Sequence, residues 1–336
     1  MVDQNVSLKQ MNTFGIDAQA KLFARIQDVS HLESVLEQHS EESIFILGGG
    51  SNILFTNNFE GLILKNEIKG FKIIEETDDF AIVESGAGEN WHEFVMKCIG
   101  QNLGGIENLS LIPGNVGASP MQNIGAYGVE IKDVFEYLDA FHLKEKEMHR
   151  FNADECKFGY RESIFKNSLK GQYFICKVAF RLSKKHVLNT SYGAIEKELQ
   201  EMQISEPTIK DVSNAVIKIR QSKLPDPNEI GNAGSFFKNP VVPIDILSNI
   251  QKKYPDVPHY PAPNDKVKLA AGWLIEKAGW KGRTFENRYG VHKHQALVLV
   301  NYNQSKGEEI LQLSNQIILD VEDKFNITLN REVNIL

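Results

Sequence analysis

Apolar side chains recur at helical spacing in several stretches of this chain. Leu32, Val35 and Leu36 fall on one face of a helix that we expect to end near residue 38. Ser30 is followed three residues later by Glu33, a spacing typical of a capping box, so Ser30 is predicted to begin that helix. The pattern therefore predicts a first amphipathic helix of about ten residues.

The same period predicts five more helices, and alternating or continuous apolar runs predict strands between them. The predicted helices are 90–102, 208–223, 243–254, 268–279 and 308–325, and the predicted strands lie within 44–55, 71–76, 80–88, 134–143, 172–182, 296–302 and 327–336. Asn90, three residues before Glu93, is a second predicted helix start. A change of composition near 201–207 predicts a domain boundary close to residue 205. The chain is expected to be α+β with more than one domain.

Composition excludes several classes of protein. The chain is 42% hydrophobic with a net charge of −7 and no Lys/Arg-rich block, which disfavours nucleic acid as a partner but leaves room for an anionic small ligand. Cys98, Cys156 and Cys176 have no zinc-site or disulfide-framework spacing, and Cys98 and Cys176 lie on apolar faces. Residues 1–10 do not resemble a signal peptide, and no apolar run reaches membrane length, so we expect a cytoplasmic protein.

Residues 108–129 contain no charged side chain, although 24% of the chain is charged. Gly114, Gly117, Gly125 and Gly128 would let backbone N–H groups approach a ligand closely. A buried irregular connection in a β-rich core is the alternative. We favour ligand binding, because long irregular connections inside compact domains are usually functional.

A second glycine-rich run, residues 48–52, lies between two apolar runs. It fits neither the dinucleotide fingerprint, because Ile53 stands where the third glycine would be, nor a Walker loop, because no Gly-Lys-Ser or Gly-Lys-Thr occurs. A nest of N–H groups for a pyrophosphate and a plain hairpin turn are about equally compatible with this run alone. Together with 108–129 it suggests two loops that hold one extended ligand.

Other polar residues carry weaker signals. His292 and His294 have no third ligand at a familiar spacing, so we predict no metal site. Ser235 does not lie in a G-x-S-x-G motif, which argues against a role as the nucleophile of a hydrolase. Glu332 is predicted to face solvent from a terminal strand.

Taken together, these segments resemble the UDP-N-acetylenolpyruvoylglucosamine reductase family. The motifs are NTFGIDAQA, ILGGGSNILF, GAGENWHEFV, IENLSLIPGNVGASPMQNIGAYGVE, CKFGYRESIFK, LPDPNEIGNAGSFFKNPVV, KLAAGWLIEKAGWKG and HKHQALVLVN. They cover nearly the whole chain in the family's order.

The resemblance implies an α+β architecture with an FAD-binding fold of the vanillyl-alcohol-oxidase type, made of two α+β subdomains, and a substrate domain. The first subdomain would be residues 1–70, joined by a C-terminal strand at about 326–336, the second 71–205, and the substrate domain 206–325. FAD would be bound non-covalently, because the charge-free loop has no histidine for attachment. The implied flavin-binding residues are Gly48, Gly49, Gly50, Ser51, Asn52, Ile112, Pro113, Gly114, Val116, Gly117, Ser119, Pro120, Gln122, Asn123, Gly125, Ala126, Tyr127 and Gly128.

The implied reaction is reduction of the enolpyruvyl group of UDP-N-acetylglucosamine enolpyruvate to UDP-N-acetylmuramate, with NADPH as the reductant through FAD. Arg161 would neutralise the enolate that hydride addition creates, and Ser235 would protonate the α-carbon, with Lys223 as a helper. Glu332 would hydrogen-bond the enolate if protonated, or organise Arg161 if ionised.

The resemblance also implies substrate-binding residues, namely Tyr160, Tyr192, Lys223, Asn239, Tyr260, Lys281 and Gln295. Tyr192 resembles the tyrosine of a substrate-covering loop in one family subtype. We expect a monomer that binds the sugar nucleotide and NADPH but neither nucleic acid nor membrane. Another oxidoreductase on the same flavin fold, such as an alcohol oxidase, and a non-catalytic sugar-nucleotide binder are the alternatives.

Overall fold

The computed structural model describes residues 1–336, which form twenty strands and eight α-helices joined by short 3-10 turns. The strands are β1 (Asp3–Ser7), β2 (Gln19–Ile26), β3 (Ile44–Leu47), β4 (Ile53–Leu54), β5 (Phe59–Asn66), β6 (Phe71–Glu76), β7 (Phe80–Gly86), β8 (Gly125–Ala126), β9 (Val129–Glu130), β10 (Phe135–His142), β11 (Glu147–Asn152), β12 (Tyr173–Ser183), β13 (Gly231–Ser235), β14 (Val241–Pro243), β15 (His259–Ala262), β16 (Lys266–Leu269), β17 (Thr284–Phe285), β18 (Tyr289–Val291), β19 (Val298–Asn301) and β20 (Asn334–Ile335). The helices are α1 (Val29–Gln38), α2 (Trp91–Gly100), α3 (Ala153–Cys156), α4 (Gly193–Glu201), α5 (Ile209–Lys223), α6 (Ile244–Gln251), α7 (Ala271–Lys277) and α8 (Gly307–Phe325). None of these helices is long and apolar enough to cross a membrane.

The first of two compact units comprises residues 1–6, 20–50 and 59–222. It contains a four-stranded sheet in the order β1-β2-β5-β3, in which β5 runs parallel to both β2 and β3. Helix α1 covers this sheet through Leu32, Val35 and Leu36, as its periodicity predicts. Parallel strands direct their carboxyl ends to one edge, where α/β units usually bind ligands. The loop that begins at Gly48 leaves β3 at that edge.

The same unit contains a five-stranded antiparallel sheet in the order β11-β10-β12-β7-β6. Helix α2 packs on it, and the buried rings of Trp91, Phe94 and Phe180 lie 5.2–5.8 Å apart between their centroids. Cys98 belongs to this core, and Cys176 belongs to the core of the parallel sheet, so the prediction that both are core residues is confirmed. Because β12 contributes to both cores, the two sheets form one packed body.

Helices α4 and α5 form a third apolar cluster in this unit, through Ile195, Leu199, Val212 and Val216, and Tyr127 packs against it. Helix α5 lies in the first unit up to Ser222. The division of the chain at residue 205 stays a prediction.

The second unit comprises residues 7–19, 51–58 and 223–336. It has a four-stranded sheet in the order β13-β19-β18-β17, a three-stranded sheet in the order β14-β16-β15, and the pair β20-β4. The predicted helices at 243–254, 268–279 and 308–325 are present as α6, α7 and α8. The predicted ten-residue terminal strand is wrong, because regular pairing is confined to Asn334 and Ile335 against β4.

The start of α1 also differs from the sequence prediction. Its N-cap is Asp28, whose carboxylate accepts a hydrogen bond from the backbone N–H of His31 at 2.7 Å. Ser30 is therefore inside the first turn and caps nothing. The second predicted start is confirmed, since the Asn90 side chain accepts a hydrogen bond from the N–H of Glu93 at 3.0 Å.

The exposed Asp28 and Ser30 form a matched pair for testing this cap. Replacing Asp28 by Ala leaves an N–H of the first turn without its side-chain acceptor and should lower the free energy of unfolding by about 1 kcal/mol. Ser30→Ala should change it by less than about 0.5 kcal/mol, as is usual for surface positions. Urea unfolding followed by circular dichroism measures both, and an equal loss in the two variants would contradict this assignment of the cap.

Candidate functional site

The loop after β3 lies against the charge-free loop. A Cβ atom added to Gly49 would lie 2.7 Å from the Cα of Gly114 and 3.0 Å from Oδ1 of Asn115, which is too close for any side chain. Gly50 has a φ of +67°, a conformation that favours glycine. Strand β3 pairs with β5 and β4 with β20, so the alternative of a plain hairpin at 48–52 is wrong.

Backbone hydrogen bonds fix the middle of the charge-free loop. The N–H groups of Val116 and Gly117 donate to the carbonyls of Glu89 and Ala87, both at 2.9 Å, and the carbonyl of Gly114 accepts from the N–H of Trp91 at 3.0 Å. A Cβ at Gly117 would lie 2.5 Å from the Cβ of Ala87. The glycines are thus required where this loop pairs with the segment that leads into α2.

Further along, the charge-free loop forms a hairpin of β8 and β9. Its two-residue turn is Tyr127-Gly128, with φ of +49° and +82°. Positive φ at both central residues is the type I′ pattern, which matches the twist of the flanking strands. Tyr127 is thereby held with its ring 5.4 Å from the ring of Tyr192, edge to face.

Several predicted flavin-binding side chains are engaged inside the protein. Val116 and Pro120 are buried. Ser119 donates to the carbonyl of Val116 at 2.7 Å, and the amide of Asn123 bonds to Glu130, to the carbonyl of Gly159 and to the N–H of Lys132. These side chains shape the loop, so any contact they make with a ligand goes through the backbone.

Arg161 lies in a tight turn closed by hydrogen bonds between Gly159 and Glu162, and its own φ is +56°. Its guanidinium donates to the carbonyl of Gly125 at 2.5 Å and lies 5.5 Å from the ring centre of Tyr160. The first unit therefore brings Arg161 and Tyr160 to the hairpin that carries Tyr127. Tyr192, which is 46% exposed, joins the same group through its ring contact with Tyr127.

Three residues of this region were missed by the sequence analysis, namely His92, Asn108 and Arg220. His92 accepts a hydrogen bond at Nδ1 from the N–H of Leu111 at 3.0 Å. Asn108 donates to the carbonyls of Tyr127 and Asn189 at 3.0 and 2.8 Å, while its own buried Oδ1 has no protein partner.

Arg220 places a positive charge beside the charge-free loop. Its Nε donates to the carbonyl of Leu111 at 3.2 Å, and its guanidinium is hydrogen-bonded to the Tyr127 hydroxyl. Although part of the residue reaches solvent, the guanidinium lies deep in the protein, so burial lowers the pKa of Arg220, and the charge of Arg161 lowers it further. A sequence signal existed, because Arg220 follows Val216 by four residues on the apolar face of α5.

In the second unit, Ser235 and Glu332 lie on neighbouring backbone segments. Ser235 is exposed at the end of β13, and the N–H of Glu332 donates to the carbonyl of Phe236 at 2.9 Å. The amide of Asn52 donates to the carbonyl of Glu332 at 3.2 Å. Glu332 is half-buried, so the prediction that it faces solvent is wrong.

The remaining predicted substrate residues of this unit occupy separate elements. Asn239 and Gln295 lie at the start of α7, where Asn239 accepts a hydrogen bond from the N–H of Ala271 at 3.0 Å. Lys281 follows α7 and is paired with Glu276 at 3.0 Å. Two others are exposed, with Tyr260 on β15 and Lys223 at the end of α5.

The residues present fit a flavin nucleotide. Two glycine-rich segments of the first unit approach each other so closely that a Cβ would fill the space, and consecutive backbone N–H groups of such segments bind phosphates. The uncharged surface of 108–129 suits an uncharged ring system, and the orphaned Oδ1 of Asn108 can accept a hydrogen bond.

The contact between Gly49 and Gly114 can be tested through stability. Gly49→Ala places a methyl group where no space exists and should destabilise the protein by about 1–3 kcal/mol. Gly48→Ala is the matched comparison, because its Cβ would come no closer than 3.9 Å to any neighbour and should cost less than about 0.5 kcal/mol. Thermal unfolding of both variants without added ligand measures the difference. Equal stability of the two would contradict the close approach of the loops.

His92 should make stability depend on pH. Burial lowers the pKa of His92 below the usual 6.5, and the charge of Arg220 lowers it further. The neutral ring accepts the Leu111 N–H, which a doubly protonated ring could not do. The unfolded chain then binds more protons than the folded chain as the pH falls through 6.5, so stability is lost towards acid pH. His92→Gln should reduce the slope of stability against pH between about 7.5 and 5.5, and His39→Gln serves as the control. A slope for His92→Gln equal to that of the unmodified protein would exclude this role.

Comparisons with known proteins agree with this geometry. Residues 226–336 match the model of the UDP-N-acetylenolpyruvoylglucosamine reductase C-terminal domain, and residues 20–147 match an FAD binding domain. The chain is 52% identical to UDP-N-acetylenolpyruvoylglucosamine reductase of Flavobacterium johnsoniae over 100% of this chain and 99% of that protein. It is 46% identical to the protein of that name in Pseudomonas savastanoi pv. phaseolicola, over 99% of this chain and 98% of the relative.

A solved structure shares the fold. The UDP-N-acetylenolpyruvylglucosamine reductase of Thermus caldophilus aligns with a TM-score of 0.68 and 21% identity, over 100% of this chain and 98% of that chain. The α+β, FAD-binding fold predicted from the sequence is thus confirmed. The chain belongs to the UDP-N-acetylenolpyruvoylglucosamine reductase family.

Proposed function

We propose that this protein reduces the enolpyruvyl group of UDP-N-acetylglucosamine enolpyruvate to give UDP-N-acetylmuramate, a precursor of peptidoglycan, with NADPH as the reductant and FAD as the cofactor. The observation that carries this proposal is the full-length similarity to reductases of that name, together with two glycine-rich loops in contact. Bound FAD would supply the hydride-transfer chemistry between NADPH and the β-carbon of the enolpyruvyl group. The predicted glycine loops, residues 48–52 and 112–128, would hold it through backbone N–H groups.

Arg161 is proposed to stabilise the negative charge that hydride addition builds on the substrate carboxylate. Its guanidinium is fixed before substrate arrives, by the hydrogen bond to Gly125 and by the ring of Tyr160. A cation that needs no rearrangement stabilises a developing charge more than a mobile one does. The buried charge of Arg220 adds positive potential at the same loop.

Ser235 is proposed to donate its hydroxyl proton to the α-carbon. Its exposed position at the end of β13 leaves the hydroxyl accessible. Glu332, held by the backbone bond to Phe236, is proposed to donate a hydrogen bond to the developing charge in its protonated form. Asn239, Gln295, Tyr260, Lys281 and Lys223 are proposed to bind the diphosphate and sugar, and Tyr192 to cover the substrate.

We further propose that the protein acts as a monomer in the cytoplasm. Its three cysteines are buried and unlinked, as is usual in a reducing compartment. Light scattering should return the mass of one chain, 37.9 kDa.

An anaerobic titration followed through the flavin spectrum tests the reaction and its proton donor together. NADPH should bleach the flavin band, and the enolpyruvyl sugar nucleotide should restore it. In Ser235→Ala, bleaching should keep its rate while restoration slows by about 10²–10⁴-fold, because only the second half-reaction needs the proton. Ser248→Ala, an exposed serine of α6, is the control.

The outcomes separate the alternatives. Bleaching without restoration in the unmodified protein would favour another flavin oxidoreductase, such as an alcohol oxidase. Binding of the sugar nucleotide without any spectral change would favour a non-catalytic binder. Restoration at the parent rate in Ser235→Ala would remove Ser235 from its role and leave the reaction intact.

A further inference from the structure

Lys65 lies at the carboxyl end of β5, between Arg25 of β2 and Leu47 of β3 in the parallel register. Its side chain is half-buried, and its ammonium group donates a hydrogen bond to the carbonyl of Gly48. Gly48 is the first residue of the glycine-rich loop that contacts Gly114. The positive charge of Lys65 is therefore held against the backbone of that loop.

Lys65 forms no direct ion pair with a carboxylate. The neighbouring acidic groups are paired with other cations, Glu67 with Arg25 at 2.5 Å and Glu89 with Lys69 at 3.4 Å. Burial is the main cause that lowers the pKa of Lys65, and the charges of Arg25 and Lys69 lower it further, while Glu67 opposes them. An ammonium group has three N–H donors, and the bond to Gly48 uses one of them.

A cavity of about 370 Å³ opens beside this ammonium group. Its lining is polar and includes Lys65, Glu67, Lys69, Gly88 and Asn115. Asn115 is the residue whose Oδ1 limits the space at Gly49, and its amide donates to the carbonyl of Gly88 at 3.1 Å. The cavity thus adjoins the contact between the two glycine-rich loops within the first unit.

We propose that Lys65 is a phosphate-binding residue, whose ammonium group donates to the pyrophosphate of FAD from this cavity while it holds the Gly48 carbonyl. This inference rests on the proposed use of the glycine loops for FAD. A half-buried cation with no direct ion pair is costly in the empty protein, and a phosphate oxygen compensates that cost. Lys65 would therefore contribute a charged donor to the phosphate, beside the backbone N–H groups of the loops.

The test is binding of ADP, which carries a pyrophosphate but no flavin, to the full-length protein stripped of FAD. Calorimetry should show that Lys65→Met weakens ADP about ten- to a hundredfold, as expected for loss of a hydrogen bond between charged groups. FAD should weaken in parallel during reconstitution. Lys65→Arg should keep most of the affinity, and Lys21→Met, an exposed lysine of β2, should keep all of it.

A pH series separates phosphate binding from a structural role. Because the pKa of Lys65 is lowered, the unmodified protein should lose ADP affinity at a lower alkaline pH than an ordinary lysine with a pKa of 10.5 would allow. Lys65→Arg should hold its affinity to higher pH, because guanidinium stays charged. Lys65→Met should show no such dependence. If Lys65→Met only loosened the loop, ADP affinity would fall by the same factor at every pH.

Two results would overturn the proposal. One is unchanged ADP and FAD affinity in Lys65→Met at neutral pH in a protein that unfolds at the parent temperature. The other is unchanged FAD affinity with loss of 2′,5′-ADP binding to the FAD-loaded protein, which would assign Lys65 to the NADPH phosphate. Neither measurement depends on turnover of the sugar nucleotide, so the proposed reaction can fail while this inference stands.

Discussion

The two predicted flavin-binding loops depend on one constraint, which is the close approach of the backbone at Gly49 to the backbone at Gly114. A Cβ at Gly49 would not fit against the Gly114 backbone, and Gly114 has a φ of +114°, so both positions favour glycine. The segment after Gly114 then pairs with residues 87–91, which lead into α2. One steric condition therefore joins the end of a parallel strand, a charge-free loop and the start of a helix.

The same loop shows why uncharged sequence does not mean unstructured backbone. Leu111, Asn123 and Tyr127 of this loop, and Arg161 beside it, have positive φ, which costs free energy in residues other than glycine. Each is held by specific bonds, such as His92 to the N–H of Leu111 and the Arg161 guanidinium to Gly125. These hydrogen bonds offset the free-energy cost of positive φ. The same bonds also hold the side chains of His92 and Arg161 in place.

Local periodicity predicted the elements well where one apolar face decides the structure. Helix α8, the alternating β12 and the Asn90 cap follow from contacts within a few residues, which a sequence displays directly. The Ser30 prediction failed because two oxygen-bearing side chains competed for one helix start and Asp28 reached the free N–H. Arg220 was missed because the value of a buried charge depends on Tyr127 and Leu111, which are distant in sequence. A single sequence does not show which residues far apart along the chain are in contact.

The C-terminal segment illustrates how such distant contacts set the position of a predicted site residue. Glu332 lies just before the short strand β20. Here the N–H of Leu336 donates to the carbonyl of Leu54 at 2.9 Å, and the carbonyl of Leu336 accepts from Thr56. The terminus is therefore fastened on one side of Glu332, and the bond to Phe236 fastens the other. The amide of Asn52 also donates to the Glu332 carbonyl, so the backbone of this predicted acidic residue is held directly as well.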